Sequence, residues 1–348
     1  MKRILVTGAS GFIGSFIVEE ALRRGFETWA AVRKSSSRKY LADSRIHFIE
    51  LNLDDPDNLE RQLSGHNFNY IVHAAGATKC LHADDFFRIN TRGTENLARA
   101  AAAVCGNLER FVFISSLSVC GPVREKRPYT EITDADTPCP DTAYGQSKLA
   151  AEHALDAIPN LPFIVLRPTG VYGPREKDYF MMAQSISRHV DFAAGLKPQD
   201  LTFIFVKDVV QAVFLALDHG TVGRRRCRII LYLSLLMNTN RRYFISDGNV
   251  YSSRAFSDLI HDELGRPWLL RVKAPLWLLR TITACGEVAG RLTERMTALN
   301  NDKYKIMRQR NWRCDITPAE TELGFKPRYN LTDGVKETIR WYKDNGWL

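Results

Sequence analysis

Over the first 170 residues, short continuous apolar runs alternate with stretches whose apolar positions recur every three to four residues. Runs rich in Val, Ile and Phe, without polar alternation, predict strands buried on both faces. These are Ile4–Val6, Thr28–Val32, Ile46–Leu51, Tyr70–His73, Phe111–Ile114 and Phe163–Leu166. The segments between them, Phe16–Arg24, Leu59–Leu63, Thr94–Ala103 and Ser147–Ala157, predict helices. Repeated strand–helix–strand units with short links imply an α/β fold, a doubly wound parallel sheet covered on both faces. The ligand of such a sheet belongs beyond the carboxyl ends of its strands.

The last third is less regular. Ser257–Leu264, Leu276–Ala284 and Leu331–Asp344 are its clearest helices, separated by aromatic and Pro-containing segments. We expect residues 1–175 to form a nucleotide-binding domain to which later elements return, and 176–348 to form mainly a small C-terminal substrate lobe. Residues 226–242 read either as an insertion framed by Arg224-Arg225 and Arg241-Arg242 or as an ordinary edge strand and loop. Both readings stay open from the sequence.

Composition narrows the class. At 348 residues the chain exceeds one typical core, and 45% apolar with 25% charged residues excludes a mainly disordered chain, a collagen-like repeat or a disulfide scaffold. The seven cysteines, Cys80, Cys105, Cys120, Cys139, Cys227, Cys285 and Cys314, form no C-x-x-C and signal neither a zinc site nor a disulfide framework. A reducing, cytoplasmic setting fits them best. The glycine-rich stretch from Gly8 follows Met1 too closely for a signal-peptide core, and the longest suspicious apolar run, Ile229 to Met237, is too short to span a bilayer. Charge is uneven: residues 1–220 carry 25 Lys+Arg against 26 Asp+Glu, whereas 221–348 carry 23 against 13. No nucleic-acid-binding pattern accompanies this basic third, so a solvated basic face is the expectation and nucleic acid is not an expected partner.

The chemistry begins at Ile4-Leu5-Val6-Thr7-Gly8-Ala9-Ser10-Gly11-Phe12-Ile13-Gly14, a strand, a glycine-rich turn and a helix start. Glycines there permit a tight turn and close backbone approach to a pyrophosphate, which the helix amino end attracts. Further along stand His73-Ala74-Ala75-Gly76, Asn90-Thr91-Arg92-Gly93-Thr94, Ser115-Ser116-Leu117-Ser118-Val119-Cys120-Gly121 and Tyr144-Gly145-Gln146-Ser147-Lys148. Arg167-Pro168-Thr169-Gly170-Val171-Tyr172-Gly173-Pro174 and Phe205-Val206-Lys207-Asp208-Val209 follow.

In this order the motifs resemble the extended short-chain dehydrogenase/reductase family over about residues 1–215, and imply a Rossmann-type fold and a nicotinamide cofactor. The resemblance assigns the cofactor to Gly8, Ser10, Gly11, Phe12, Ile13, Gly14, Asn52, Leu53, His73, Ala74, Ala75, Gly76, Asn90, Tyr144, Lys148, Pro168 and Val171. The second strand ends Ala31-Val32-Arg33-Lys34 with no carboxylate, so Arg33, with Lys34 or Arg38 adding charge, suits the 2′-phosphate of NADP(H). NADP(H) is therefore the expected cofactor, with NAD(H) the alternative, and no metal is expected.

Tyr144 and Lys148 stand one helical turn apart. The resemblance implies Tyr144 as general acid/base, Lys148 as the charge that favours its phenolate and holds the nicotinamide ribose, and Ser116 as the group orienting the substrate oxygen. Ser115 and Ser118 are nearby alternatives. His73 is expected to pack and line the cofactor, and Asn90 to play a structural part. Leu117 and Ser118 stand where a dehydratase of the family needs an acidic pair, and Leu201 where sugar-nucleotide members clamp a diphosphate with Arg. The expected function is thus a ketone/secondary-alcohol oxidoreductase of the dihydroflavonol 4-reductase and 3β-hydroxysteroid dehydrogenase branch, acting on a small molecule. A nucleotide-sugar epimerase, with Arg271 or Arg280 replacing the clamp, is the first alternative, and a non-catalytic dinucleotide sensor the second. Trp268, Leu269, Leu270, Leu276, Trp277, Leu278 and Leu279 either wall an apolar substrate site or fill the lobe's core, the second being favoured. The resemblance also suggests a homodimer through the helices that begin near Asn90 and Tyr144.

Overall fold

The computed structural model describes residues 1–195, 197–219, 240–293 and 301–348. Six strands, β1 (Arg3–Thr7), β2 (Glu27–Val32), β3 (His47–Glu50), β4 (Tyr70–His73), β5 (Arg110–Ile114) and β6 (Phe163–Pro168), lie at the predicted places. A seventh, Arg241–Ile245, completes one parallel sheet in the order Arg241–Ile245, β6, β5, β4, β1, β2, β3. Strand order reverses beside β1, which pairs with β2 on one side and β4 on the other, so the crevice for a ligand opens between the turns that follow β1 and β4.

Both faces of the sheet are buried, which explains the unbroken apolar runs. Ile4, Val6, Tyr70, Val72, Val112 and Ile164 pack on one face beneath the helices Phe12–Arg23 and Val206–Asp218. Leu5, Ile71, Phe111, Phe113, Phe163 and Val165 pack on the other, beneath Pro56–Leu63, Gly93–Val104 and Ala143–Asp156. A separate cluster of Tyr172, Phe203, Phe205, Phe256, Ile260, Val335 and Ile339 joins elements that follow residue 170.

The seventh strand corrects one boundary. Residues 226–239 of the possible insertion lie outside the described residues, but Arg241 and Arg242 belong to the sheet, paired with Ile164 and Val165. Their charges did not look like strand. They are accommodated because Arg241 ion-pairs with Glu322, and Arg242 donates to Glu152 (2.9 Å) and Asp156 (2.6 Å).

Glu152 is fully buried on the helix Ala143–Asp156. It accepts two hydrogen bonds from Arg167 of β6 (3.1 and 2.7 Å), one from Ser115 (2.6 Å) and one from Arg242. A buried carboxylate survives only when its oxygens are filled in this way. Removing it leaves Arg167, in a site almost closed to water, without a counter-charge, and leaves Arg242 with Asp156 alone. Glu152→Ala should therefore cost about 3–5 kcal/mol of stability. Arg45→Ala, which breaks an exposed pair with Asp43, should leave stability nearly unchanged. Urea unfolding of the two variants checks this, and equal losses would refute it.

Candidate active site

The turn after β1 is built around glycine. Gly8 adopts φ +68°, and a Cβ on it would lie 2.6 Å from the backbone of Ala74 and Ala75. A Cβ on Gly14 would stand 2.1 Å from the Gly8 carbonyl oxygen. The turn closes through Gly11 N–H donating to Gly8 O at 2.9 Å, and the helix Phe12–Arg23 begins with no side-chain cap. Its first N–H groups are therefore left to an anion.

Between this turn and the loop after β4 lies a cavity of about 630 Å³. Gly8, Ser10, Gly11, Arg33, Asn52, Leu53, Ala74, Ala75 and Gly76 line it, together with Thr7, Ala31, Val32, Ser36, Glu50, Leu51, Asp54, Ala77, Arg88 and Ile89, which the sequence reading did not single out. Arg33 is the one of the three candidate phosphate-binding cations on this wall. Lys34 is exposed outside the lining, and Arg38 lies over the Phe48 ring at 4.2 Å. Asp54 is held by Arg88 at 2.6 Å.

Other predicted positions fall around the cavity without lining it. Phe12, Ile13 and Gly14 form the first turn of the helix, while Pro168 ends β6 and Val171 lies in the next strand, Gly170–Tyr172. The His73 ring stands behind the wall, fully buried, with Nδ1 2.6 Å from Thr7 Oγ1 and Nε2 2.9 Å from Thr94 Oγ1. Burial, reinforced by the nearby Lys148 charge, pushes its pKa down to about 3. It is a neutral strut tying β1 and β4 to the helix Gly93–Val104.

Asn90 lies in a π-helical turn, Phe87–Arg92, a local widening often found beside functional sites. Its side chain accepts from Ala77 N–H (2.7 Å) and donates to Ala77 O and Ser147 Oγ (both 3.0 Å). It thereby fixes the loop after β4 to the helix that carries Tyr144.

Ser116, Tyr144 and Lys148 come together beyond the carboxyl end of β5. The Tyr144 helix approaches the Ser116–Ser118 turn so closely that a Cβ on Gly145 would lie 2.5 Å from the Ser118 carbonyl oxygen. Burial raises the Tyr144 phenol above its ordinary pKa, and its interaction with Ser116 offsets part of that rise. Phe86 packs edge-on against the phenol ring at 6.2 Å. Lys148 Nζ donates to the Ile114 carbonyl at 2.8 Å and stands 3.2 Å from where a Gly76 Cβ would be. Burial lowers its pKa to about 8, opposed by Glu152. Of the alternative serines, Ser115 is committed to Glu152, and Ser118 offers its N–H to Ser116 Oγ at 3.1 Å.

Asp302 was missed by sequence reasoning. Its carboxylate accepts from the backbone N–H groups of Ala143 (3.2 Å) and Tyr144 (3.3 Å), supplementing the Thr142 cap of that helix. No local signal reveals a contact that spans 158 residues of chain. Arg271, a candidate diphosphate clamp, is instead paired with Asp258 at 2.6 Å. The expected core placement of the Trp268–Leu279 stretch is also corrected: Trp268, Leu270, Trp277 and Leu278 are exposed, and Leu279 alone of the seven is buried.

Comparison with known proteins bears on the family and the fold. The sequence model of the NAD dependent epimerase/dehydratase family matches residues 4–228. UDP-glucose 4-epimerase of Vibrio cholerae is 24% identical, with 97% of this chain and 95% of that protein aligned. Ceramide reductase of Caulobacter vibrioides is 25% identical, with 99% and 96% aligned. A dTDP-glucose 4,6-dehydratase from Streptomyces venezuelae, solved with NAD bound, superposes with a TM-score of 0.76 at 22% identity, covering 99% of this chain and 98% of that one.

The glycine geometry gives a direct test. Gly8→Ala combines a left-handed backbone, costing about 1–2 kcal/mol for an L-residue, with a clash against the backbone of Ala74 and Ala75. It should destabilise the protein by more than that figure and abolish dinucleotide binding. Gly25→Ala has a similar positive φ but nothing within 4 Å, so it should keep binding. Unfolding curves and NADPH titration of both variants check the difference.

Proposed function

The chain belongs to the NAD dependent epimerase/dehydratase family, within the extended short-chain dehydrogenase/reductases, and we propose that it is an NADP(H)-dependent oxidoreductase interconverting a ketone and a secondary alcohol. The observation that carries this reading is the convergence of Ser116, Tyr144 and Lys148 at the strand ends, beyond a cavity whose glycine turn suits a pyrophosphate. The cradle fits the cofactor: the positive φ of Gly8 and the uncapped helix start are what a dinucleotide phosphate requires.

When bound, a nicotinamide dinucleotide supplies the hydride in the reducing direction. Tyr144, with its raised pKa, holds its proton at neutral pH and donates it to the substrate carbonyl oxygen. Ser116 orients that oxygen with a hydrogen bond. The Lys148 ammonium stabilises the phenolate left on Tyr144 and holds the nicotinamide ribose. Arg33 supports the NADP(H) preference, offering a guanidinium fork to a 2′-phosphate where β2 provides no carboxylate. Glu50 on the same cavity opposes it, whereas Asp54 is already paired with Arg88.

The reductase reading over a dehydratase is supported at Leu117, which is buried in a cluster with Val119 and Ile132 and so supplies neither acid nor base. A nucleotide-sugar epimerase is the second reading. Lys197, Arg308 and Arg310 around a smaller cavity that includes Leu276 and Trp277 favour it, as cations for a diphosphate. We further propose that the lobe after residue 176 holds the substrate, that the protein works in the cytoplasm, in keeping with its free thiols at Cys80, Cys105, Cys120, Cys139 and Cys314, and that it pairs as a homodimer through the helices that begin near Asn90 and Tyr144.

Arg33→Ala should weaken NADPH about tenfold or more and leave NADH unchanged, measured by tryptophan quenching. Purification with tightly held NAD, or a preference for NADH, would favour the epimerase. Tyr144→Phe should lower kcat by about 10²–10⁴-fold with NADPH affinity intact; a sensor would keep its biological activity in that variant. Lys148 is charged below its pKa and neutral above it. Reduction should therefore decline as pH rises through about 8, and Lys148→Met should remove that limb of the profile.

A further inference from the structure

A two-stranded ribbon in the C-terminal region turns its apolar face outward. Val190–Ala194 pairs in parallel with Leu270–Ala274, placing Val190 beside Leu270 and Phe192 beside Val272. Because side chains alternate, these four share one face. The opposite face, which carries Asp191, Arg271 and Lys273, is polar and turns toward a helix. Asp191 is buried, accepting from Ser257 (3.2 Å) and Arg254 (3.4 Å), and Arg271 donates to Asp258 (2.6 Å) on the helix Ala255–Leu264. The helix therefore takes the charged side, and Phe192 is left 66% and Leu270 57% exposed.

The exposed surface continues along the chain. Trp268, stacked on His189 at 4.4 Å, is 59% exposed. After Pro275 the helix Leu276–Thr293 opens with Trp277, 68% exposed, and Leu278, and exposes Ile282 one turn later. Single exposed apolar residues are ordinary, but a run of large ones on adjoining elements marks a docking surface.

The charge around it chooses the partner. Between Leu264 and Gly286 there is no Asp or Glu, whereas Arg266 and Arg280 are exposed there and Lys197 and Arg310 stand with Trp277 around the neighbouring cavity. We propose that this face docks the protein onto an anionic lipid bilayer surface, lying in the interface without crossing it. Trp side chains favour the headgroup level, and nearby basic residues each add attraction to anionic lipid. No helix among the described residues is long and apolar enough to cross a membrane, so the contact is interfacial. A second copy of the chain would bring the same positive rim against this one and be repelled. The proposal is independent of the cofactor and reaction proposed above.

The test is co-flotation of the full chain with vesicles of phosphatidylcholine alone and of an equimolar phosphatidylcholine–phosphatidylglycerol mixture. We expect binding to the anionic vesicles at least about tenfold above the neutral ones, weakened by added salt and accompanied by a blue shift of tryptophan emission. Phe192→Ser with Leu270→Ser, and separately Arg266→Glu with Arg280→Glu, should each reduce that binding about tenfold. NADPH binding and circular dichroism should be unchanged in both, because none of these residues lines the dinucleotide cavity. Equal partition into both vesicles, or undiminished binding by both double variants, would overturn the proposal. So would a concentration-dependent dimer that Phe192→Ser dissolves without any vesicle binding, since the face would then be a self-interface.

Discussion

The geometry of the candidate site depends on one buried carboxylate. Tyr144, Lys148 and Glu152 follow one another at four-residue steps along one helix and so share a face. Glu152 takes hydrogen bonds from Arg167 of β6, from Arg242 of the outermost strand beyond it, and from Ser115, the neighbour of Ser116. One side chain thereby sets the rotation and height of the Tyr144 helix against the sheet, and fixes the serine turn that faces it. The same charge opposes the fall in the Lys148 pKa that burial produces. Positioning and electrostatics are thus coupled through a group that touches neither substrate nor cofactor in the proposed reaction.

A second rigid contact sets the other half of the crevice. The Gly8 turn and the Ala74–Ala75 backbone meet at a separation that no side chain tolerates. Directly behind that contact the neutral His73 ring joins β1, β4 and the helix Gly93–Val104 through two threonine hydroxyls. A protonated imidazole would place a buried charge beside Lys148, and the depressed His73 pKa reflects that cost. Asn90 extends the bracing from the loop after β4 to the Tyr144 helix. The crevice walls are therefore braced from behind by hydrogen bonds from His73 and Asn90, which do not themselves line it.

Much of this was legible before any coordinates. The six leading strands announce themselves because both faces of a parallel sheet are buried and their sequences lack polar alternation. The glycine turn and the Tyr144–Lys148 spacing are local patterns, and local patterns survive in one dimension. The seventh strand was harder to place because it opens with Arg241-Arg242, whose charges resemble a loop until Glu322, Glu152 and Asp156 are seen opposite them. Asp302, Arg88 and Glu50 escaped notice for the same reason: each reaches the site or its rim through a tertiary contact rather than a motif.

The exposed Trp268–Leu278 stretch shows how far hydrophobicity alone can mislead. Its leucines and tryptophans read as core because burial is the usual fate of such residues. The outcome was decided by the charged partners on the alternate positions. Asp191 and Arg271 are satisfied by Arg254, Ser257 and Asp258, so the ribbon must turn that face toward the helix Ala255–Leu264. Period-two geometry then forces Phe192 and Leu270 the other way. Trp277 stands at the edge of this surface and also lines the smaller cavity with Pro275, Leu276 and Met307. Arg308, on the same cavity, reaches Asp141 just ahead of the Tyr144 helix. The exposed apolar surface and the helix that carries Tyr144 are thus linked through one cavity, lined by Trp277 and by the Arg308 that pairs with Asp141.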